Sequence, residues 1–205
     1  MLPALVAPYA APHLEKAASW LFEKGITSGL LTLASVLSSI LVMAMIGLQL
    51  YPVAILALIL NRACDAFDTP VAELQRKAGN PPSSFSAFAD TMADIFLYAG
   101  VVFAFVLGAP DFAMAGTFLL FTWMVSGFAT LAFQIEAAAK GLDEETRSRP
   151  ALLMLDGVAS GTEMTLAIIL MCAVPAYFPA IALLYGIICL VTTGSRVVTA
   201  YKTLR

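Results

Sequence analysis

Four aspartates lie at the end of one apolar segment and near the start of the next: Asp65, Asp68, Asp90 and Asp94. Asp65 and Asp68 are three residues apart, and Asp90 and Asp94 are four apart, so on helices each pair shares one face. A carboxylate at hydrocarbon depth is costly and is usually retained for function. Four close together repel one another unless cations neutralise them, and oxygen-only ligand sets suit Mg²⁺, Mn²⁺ or Ca²⁺. The spacing therefore predicts a metal site, and two-metal sites of this kind typically serve displacement at a phosphoryl group.

The composition indicates an integral membrane protein. The chain has 205 residues, of which 60% are hydrophobic and only 12% charged, and a water-soluble domain of this size carries more charge. The net charge is −3, and no basic run suggests a nucleic-acid partner. The three cysteines are scattered through apolar stretches and indicate nothing about a redox compartment.

Six apolar segments are long enough to cross about 30 Å of hydrocarbon as helices: 27–48, 51–77, 85–108, 112–139, 149–173 and 177–202. The connections near 49–50, 109–111 and 174–176 contain no Lys or Arg, and the basic residues collect on the other side. The positive-inside rule then places both termini and the four aspartates at the cytoplasmic face. Residues 12–24 predict an amphipathic helix on the membrane surface, within a juxtamembrane segment 1–26. We expect one all-α transmembrane domain over 1–205, because no repeat or linker divides it.

The aspartate region resembles the signature of the CDP-alcohol phosphatidyltransferases. That signature is Asp-x-x-Asp-Gly-x-x-Ala-Arg, then eight residues, then Gly-x-x-x-Asp-x-x-x-Asp, and it is matched here by Asp65, Asp68, Ala72, Asp90 and Asp94. Residues 157–163 (GVASGTE) and 192–204 (TTGSRVVTAYKTL) also resemble the family's fifth and last helices. From about residue 25 onward, the resemblance implies a six-helix membrane fold with a cytoplasmic active site.

The resemblance implies a reaction and roles for the aspartates. The reaction transfers a substituted phosphate from a CDP-linked lipid donor to an alcohol acceptor with release of CMP, as in phospholipid biosynthesis. Asp65, Asp68 and Asp90 would bind Mg²⁺ or Mn²⁺, and Asp94 would contact the second metal and deprotonate the alcohol. The family resemblance also implies a homodimer.

The chain departs from the signature at positions that bind the donor in the family. Thr69 stands at the first glycine, Glu73 at the arginine and Ser86 at the second glycine, and the gap between the two halves is four residues longer. Arg76 and Lys77 are alternative replacements for the missing arginine. Arg62, three residues before Asp65, is an ion-pair partner for Asp65 or Asp68 or a phosphate contact. The predicted donor-binding residues are Arg62, Thr69, Ala72, Arg76, Lys77 and Ser86.

These departures leave other functions open. One is a catalytically inactive relative that binds metal, lipid or nucleotide as a sensor or scaffold. Another is a cation transporter, which is disfavoured because the aspartates gather at one membrane face whereas transporter sites lie near the midplane. The sequence specifies neither the acceptor alcohol nor whether the donor is CDP-diacylglycerol.

Overall fold

The computed structural model describes residues 7–141 and 161–204, and these residues are mostly α-helical with no strand among them. The α-helices among these residues are α1 (Ala7–Glu23), α2 (Ser28–Gly47), α3 (Tyr51–Lys77), α4 (Ser84–Gly108), α5 (Ala113–Ala139), α6 (Gly161–Ala173) and α7 (Phe178–Leu204). Short 3₁₀ helices, Pro110–Phe112 and Pro175–Tyr177, precede α5 and α7.

The helices around the aspartates begin and end at residues with the expected local chemistry. The side chains of Thr27 and Ser83 cap α2 and α4 by accepting from backbone N–H groups in their first turns, as N-cap hydroxyls do. Proline is tolerated near the start of α3 because the first helical N–H groups need no partner within the helix; Pro52 lies there. Gly79, with φ 81°, follows the end of α3 in the left-handed conformation that glycine adopts without strain.

The chain divides into two compact units, Leu2–Ala109 and Pro110–Arg205. In the N-terminal unit, α2 packs along both α3 and α4, and α1 packs against α3. Both α3 and α4 pack most extensively on α2, and polar side chains of α3 also reach α4.

An apolar cluster in the N-terminal unit joins α1, α2 and the second half of α3. Its buried residues are Ala18, Leu31 and Val71, and the partly buried residues around them are Leu21, Ile26, Phe67 and Leu74. The helix predicted over 12–24 is therefore part of a longer helix that packs on α3. Its location at a membrane surface stays a prediction.

In the C-terminal unit, α5 and α7 pack along each other. The rings of Phe112 and Phe178 stack with their centroids 5.0 Å apart near the start of both helices. Toward the other end, Arg196 Nη1 donates to the carbonyl oxygen and the hydroxyl of Ser126, at 3.0 and 2.9 Å. These two contacts fix the register of the helices.

Four helical stretches among the described residues are long and apolar enough to cross a membrane: Ser28–Gly47, Phe88–Gly108, Pro110–Ala139 and Pro175–Leu204. They correspond to four of the six predicted spans. α3 occupies the predicted range 51–77, but from its eleventh residue onward it carries Asn61, Arg62, Asp65 and Asp68, which lowers its hydropathy. The fifth predicted span, 149–173, is described only from residue 161, and Glu163–Ala173 is shorter than a full span. Residues 149–160, including most of the GVASGTE stretch, lie outside the described residues.

Candidate acidic site

The structure brings the four predicted aspartates into one cluster within the N-terminal unit. Asp65 and Asp68 lie on α3, Asp90 and Asp94 lie on α4, and all four side chains are partly buried. Asp90 lies within electrostatic range of the other three carboxylates, and Asp65 within range of Asp94 and Asp68. The shared partner α2 therefore holds the two carboxylate pairs close enough to repel one another.

Arg62 lies at the centre of this cluster and connects α3 to α4. Its Nη2 donates to Asp94 Oδ1 at 2.8 Å, and its Nη1 donates to Asp65 Oδ2 and Tyr98 Oη at 3.3 and 3.2 Å. Its Nε and Nη2 both donate to Asn61 Oδ1, at 2.9 and 2.6 Å. The guanidinium also lies 5.6 Å from the centroid of the Tyr98 ring, within the range of a cation–π contact. Of the two alternatives that the sequence left open, the structure shows the ion pair with Asp65, and it adds Asp94.

Asn61 is fully buried and attaches Arg62 to α2. Its Nδ2 donates to the Ser35 carbonyl oxygen at 2.7 Å, and the hydroxyls of Ser35, Ser38 and Ser39 lie 3.0, 3.2 and 3.0 Å from the same nitrogen. Ser38 and Ser39 donate their own protons to the Ser35 carbonyl oxygen, so their oxygens are available to accept from Asn61. A chain of hydrogen bonds thus runs from α2 through Asn61 and Arg62 to the carboxylates.

Asp68 lies at the edge of the cluster next to α2. Its Oδ1 is buried and accepts no hydrogen bond from any described residue, while the hydroxyls of Ser28 and Thr32 lie beside the same carboxyl group. A buried carboxylate oxygen without a partner costs free energy. This oxygen is therefore available as a ligand for a cation.

The chemistry of these side chains fits a hard divalent cation. The ligands are carboxylate oxygens, which Mg²⁺ and Mn²⁺ prefer, and four carboxylates outnumber the one guanidinium. In the arrangement described, no group of three or more His, Cys, Asp or Glu side chains among the described residues is set to hold an ion. Instead, Asp65 and Asp94 form ion pairs with Arg62.

The predicted donor-binding residues are only partly brought together. Ala72 is buried, whereas Thr69 is exposed on α3. Arg76 and Lys77 are exposed in the last turn of α3, and neither forms an ion pair with a described residue. Ser86 Oγ lies 3.4 Å from Ser28 Oγ. It borders a cleft of about 420 Å³ lined by Thr27, Gly29, Gln75, Asn80, Pro81, Pro82, Ser83 and Ser86.

The sequence alone did not identify Asn61, Tyr98 or the serines of α2 as parts of the site. One signal was present: Asn61 is the first strongly polar residue after ten mainly apolar ones in α3. Ser35, Ser38 and Ser39 also recur at helical spacing, which places them on one face. A buried asparagine opposite such a face is expected to bond to it.

The helices and the acidic cluster together define a helical integral membrane protein with a polar site built among its helices. Over 206 aligned residues, the chain is 32% identical to the inner membrane protein YnjF of Escherichia coli (strain K12). The alignment covers 100% of this chain and 98% of that protein, so the chain belongs to the family of this inner membrane protein. No protein-family model and no solved structure matches the chain.

Proposed function

We propose that the chain is a membrane transferase of the CDP-alcohol phosphatidyltransferase type. It moves a substituted phosphate from a CDP-linked lipid to an alcohol and releases CMP. The observation that supports this most is the convergence of Asp65, Asp68, Asp90 and Asp94, the four aspartates that match the family signature, in one partly buried cluster. A soluble donor headgroup and acceptor would reach the site from the cytoplasm, and the lipid tails would stay between the helices.

In this proposal the alcohol oxygen bonds to the phosphorus that carries the lipid, and the bond from that phosphorus to the CMP oxygen breaks. Asp94 takes the proton of the alcohol. Its Oδ1 accepts from Arg62, while its Oδ2 accepts no hydrogen bond from the described residues, so one oxygen is available as a base. Divalent cations held by Asp65, Asp68 and Asp90, the second of them also contacted by Asp94, would offset charge on the donor's phosphates.

Release of CMP tests the proposal. The purified full chain is incubated with a CDP-lipid and a panel of alcohols, with and without Mg²⁺. We expect CMP release that needs Mg²⁺ and falls about 100-fold or more in Asp94→Asn, the usual contribution of a general base. Asp111→Asn is the matched control, because Asp111 is exposed in the C-terminal unit. No release with any alcohol, or full activity in Asp94→Asn, would refute the proposal.

A second candidate function is favoured by Arg62, which pairs with both Asp65 and Asp94, and by the replacements Thr69, Glu73 and Ser86. It is a catalytically inactive relative that binds metal, lipid or nucleotide. Binding of Mn²⁺ or of a CDP-lipid without CMP release would distinguish this function from the transferase.

The proposal includes the six-span arrangement with both termini in the cytoplasm and, through the family resemblance, a homodimer. The support is the distribution of basic residues together with the four apolar helices. Reporter fusions at each end of the chain test the arrangement. A cytoplasmic reporter active at only one terminus would contradict it.

A further inference from the structure

The orientation of the Asn61 amide is determined by its surroundings. A backbone carbonyl oxygen, that of Ser35, lies 2.7 Å from one end of the amide, and a guanidinium lies against the other end. A carbonyl only accepts and a guanidinium only donates. The reversed amide would place two acceptors together and two donors together. Asn61 therefore directs its oxygen at Arg62 and cannot turn away while α2 stays in place.

The guanidinium of Arg62 has no unused donor. An arginine carries five N–H bonds, and the five contacts of Arg62 are to Asn61 Oδ1 from Nε and Nη2, to Asp94 from Nη2, and to Asp65 and Tyr98 from Nη1. A surface ion pair holds two flexible side chains by one contact and contributes little. Here the Arg62 side chain is only 19% exposed and all its N–H groups are hydrogen-bonded. The guanidinium is therefore held in one position.

We propose that Asn61 is a positioning residue that fixes Arg62 as a tethered counter-cation of the acidic cluster. A divalent cation must displace the guanidinium from Asp65 and Asp94 before those carboxylates can bind it. The inference rests on the proposed metal-dependent function and adds a regulation of the same site: the affinity for metal is set by how firmly α2 holds Asn61. Weakening that hold strengthens metal binding.

The test measures Mn²⁺ binding to the purified full chain without donor or acceptor, from the electron paramagnetic resonance signal of free Mn²⁺. We expect Arg62→Gln to tighten binding about tenfold or more, because charge-assisted bonds to two carboxylates no longer compete. Asn61→Leu, which leaves the charge in place but removes its anchor, tightens binding about threefold. Lys24→Gln removes a positive charge that lies over the Trp20 ring and changes the affinity less than twofold.

A second variant guards against misfolding of Asn61→Leu. Replacing both Ser38 and Ser39 by alanine loosens the amide with little change of volume, and we expect a smaller shift in the same direction. If wild type binds Mn²⁺ and neither Arg62→Gln nor Asn61→Leu binds it more tightly, this inference is overturned and the metal-dependent function still stands. Absence of Mn²⁺ binding in both wild type and Arg62→Gln would overturn the metal site itself, and the inference with it. Binding that appears only in Arg62→Gln supports the inference and counts against a metal-dependent wild type.

Discussion

Replacing Asn61 by leucine should destabilise the N-terminal unit by about 2–3 kcal/mol. Leucine has a similar size, so the cost comes from lost hydrogen bonds. The bonds to the serines of α2 are neutral and interhelical, and such bonds average about 0.6 kcal/mol in membranes. The two bonds from the charged Arg62 would contribute about 1.5–3 kcal/mol each if fully buried. Arg62 is 19% exposed, so water replaces part of the lost hydrogen bonding. We therefore assign about 1.5 kcal/mol to the two bonds from Arg62 together.

A double-mutant cycle isolates the contact between Asn61 and Arg62. The free energy of unfolding is measured by titrating SDS into detergent micelles for wild type, Asn61→Leu, Arg62→Met and the double variant. We expect a coupling free energy of about 1.5 kcal/mol, since the destabilising effects of mutations in one hydrogen-bond network are not additive. Asn80→Leu is the control, because Asn80 is exposed and should lose less than about 0.5 kcal/mol. A coupling below about 0.5 kcal/mol, or a loss in Asn61→Leu no larger than in Asn80→Leu, would refute the hydrogen-bond chain.

Two further predictions concern packing and metal. A Cβ at Gly108 would lie 3.1 Å from the Gly47 carbonyl oxygen, whereas at Gly100 it would meet the flexible Met43 side chain. We expect Gly108→Ala to cost about 1–3 kcal/mol in the same SDS titration and Gly100→Ala clearly less; the reverse order would contradict this packing. Mg²⁺ at about 100 times its dissociation constant should stabilise wild type by about 2.7 kcal/mol. Asp68→Asn should lose most of the resulting rise in the thermal midpoint, and equal rises would show that Asp68 binds no metal.

Local features of the sequence predicted the helices of the N-terminal unit well. The range 51–77 predicted for α3 agrees with Tyr51–Lys77, because a proline marks its start and Gly79 follows its end. The range 27–48 predicted for α2 agrees with Ser28–Gly47 to within one residue at each end. The predicted span over α3 is less apolar than the four long apolar helices, since its first ten residues are apolar but polar and charged residues are frequent from Asn61 onward.

The candidate site was predicted in part. The spacing of the aspartates placed each pair on one helix face, and the structure brings the pairs together. The polar positions that form the link through Asn61 are visible in the sequence, but their contact was not predicted, because it depends on the rotation of α2 about its own axis relative to α3. The roles of Arg76, Lys77 and Thr69 in donor binding stay predictions.

The saturated guanidinium of Arg62 has a consequence for the order in which ligands enter. A phosphate can bond to Arg62 only by replacing the acceptor in one of its five present hydrogen bonds. A phosphate that arrives alone also faces four carboxylates of its own sign. If a cation first takes Asp65 and Asp94, two N–H bonds become free at the moment when the local charge turns favourable for an anion. Such a site would show ordered rather than random binding kinetics, with the metal as the first ligand and the phosphate as the second.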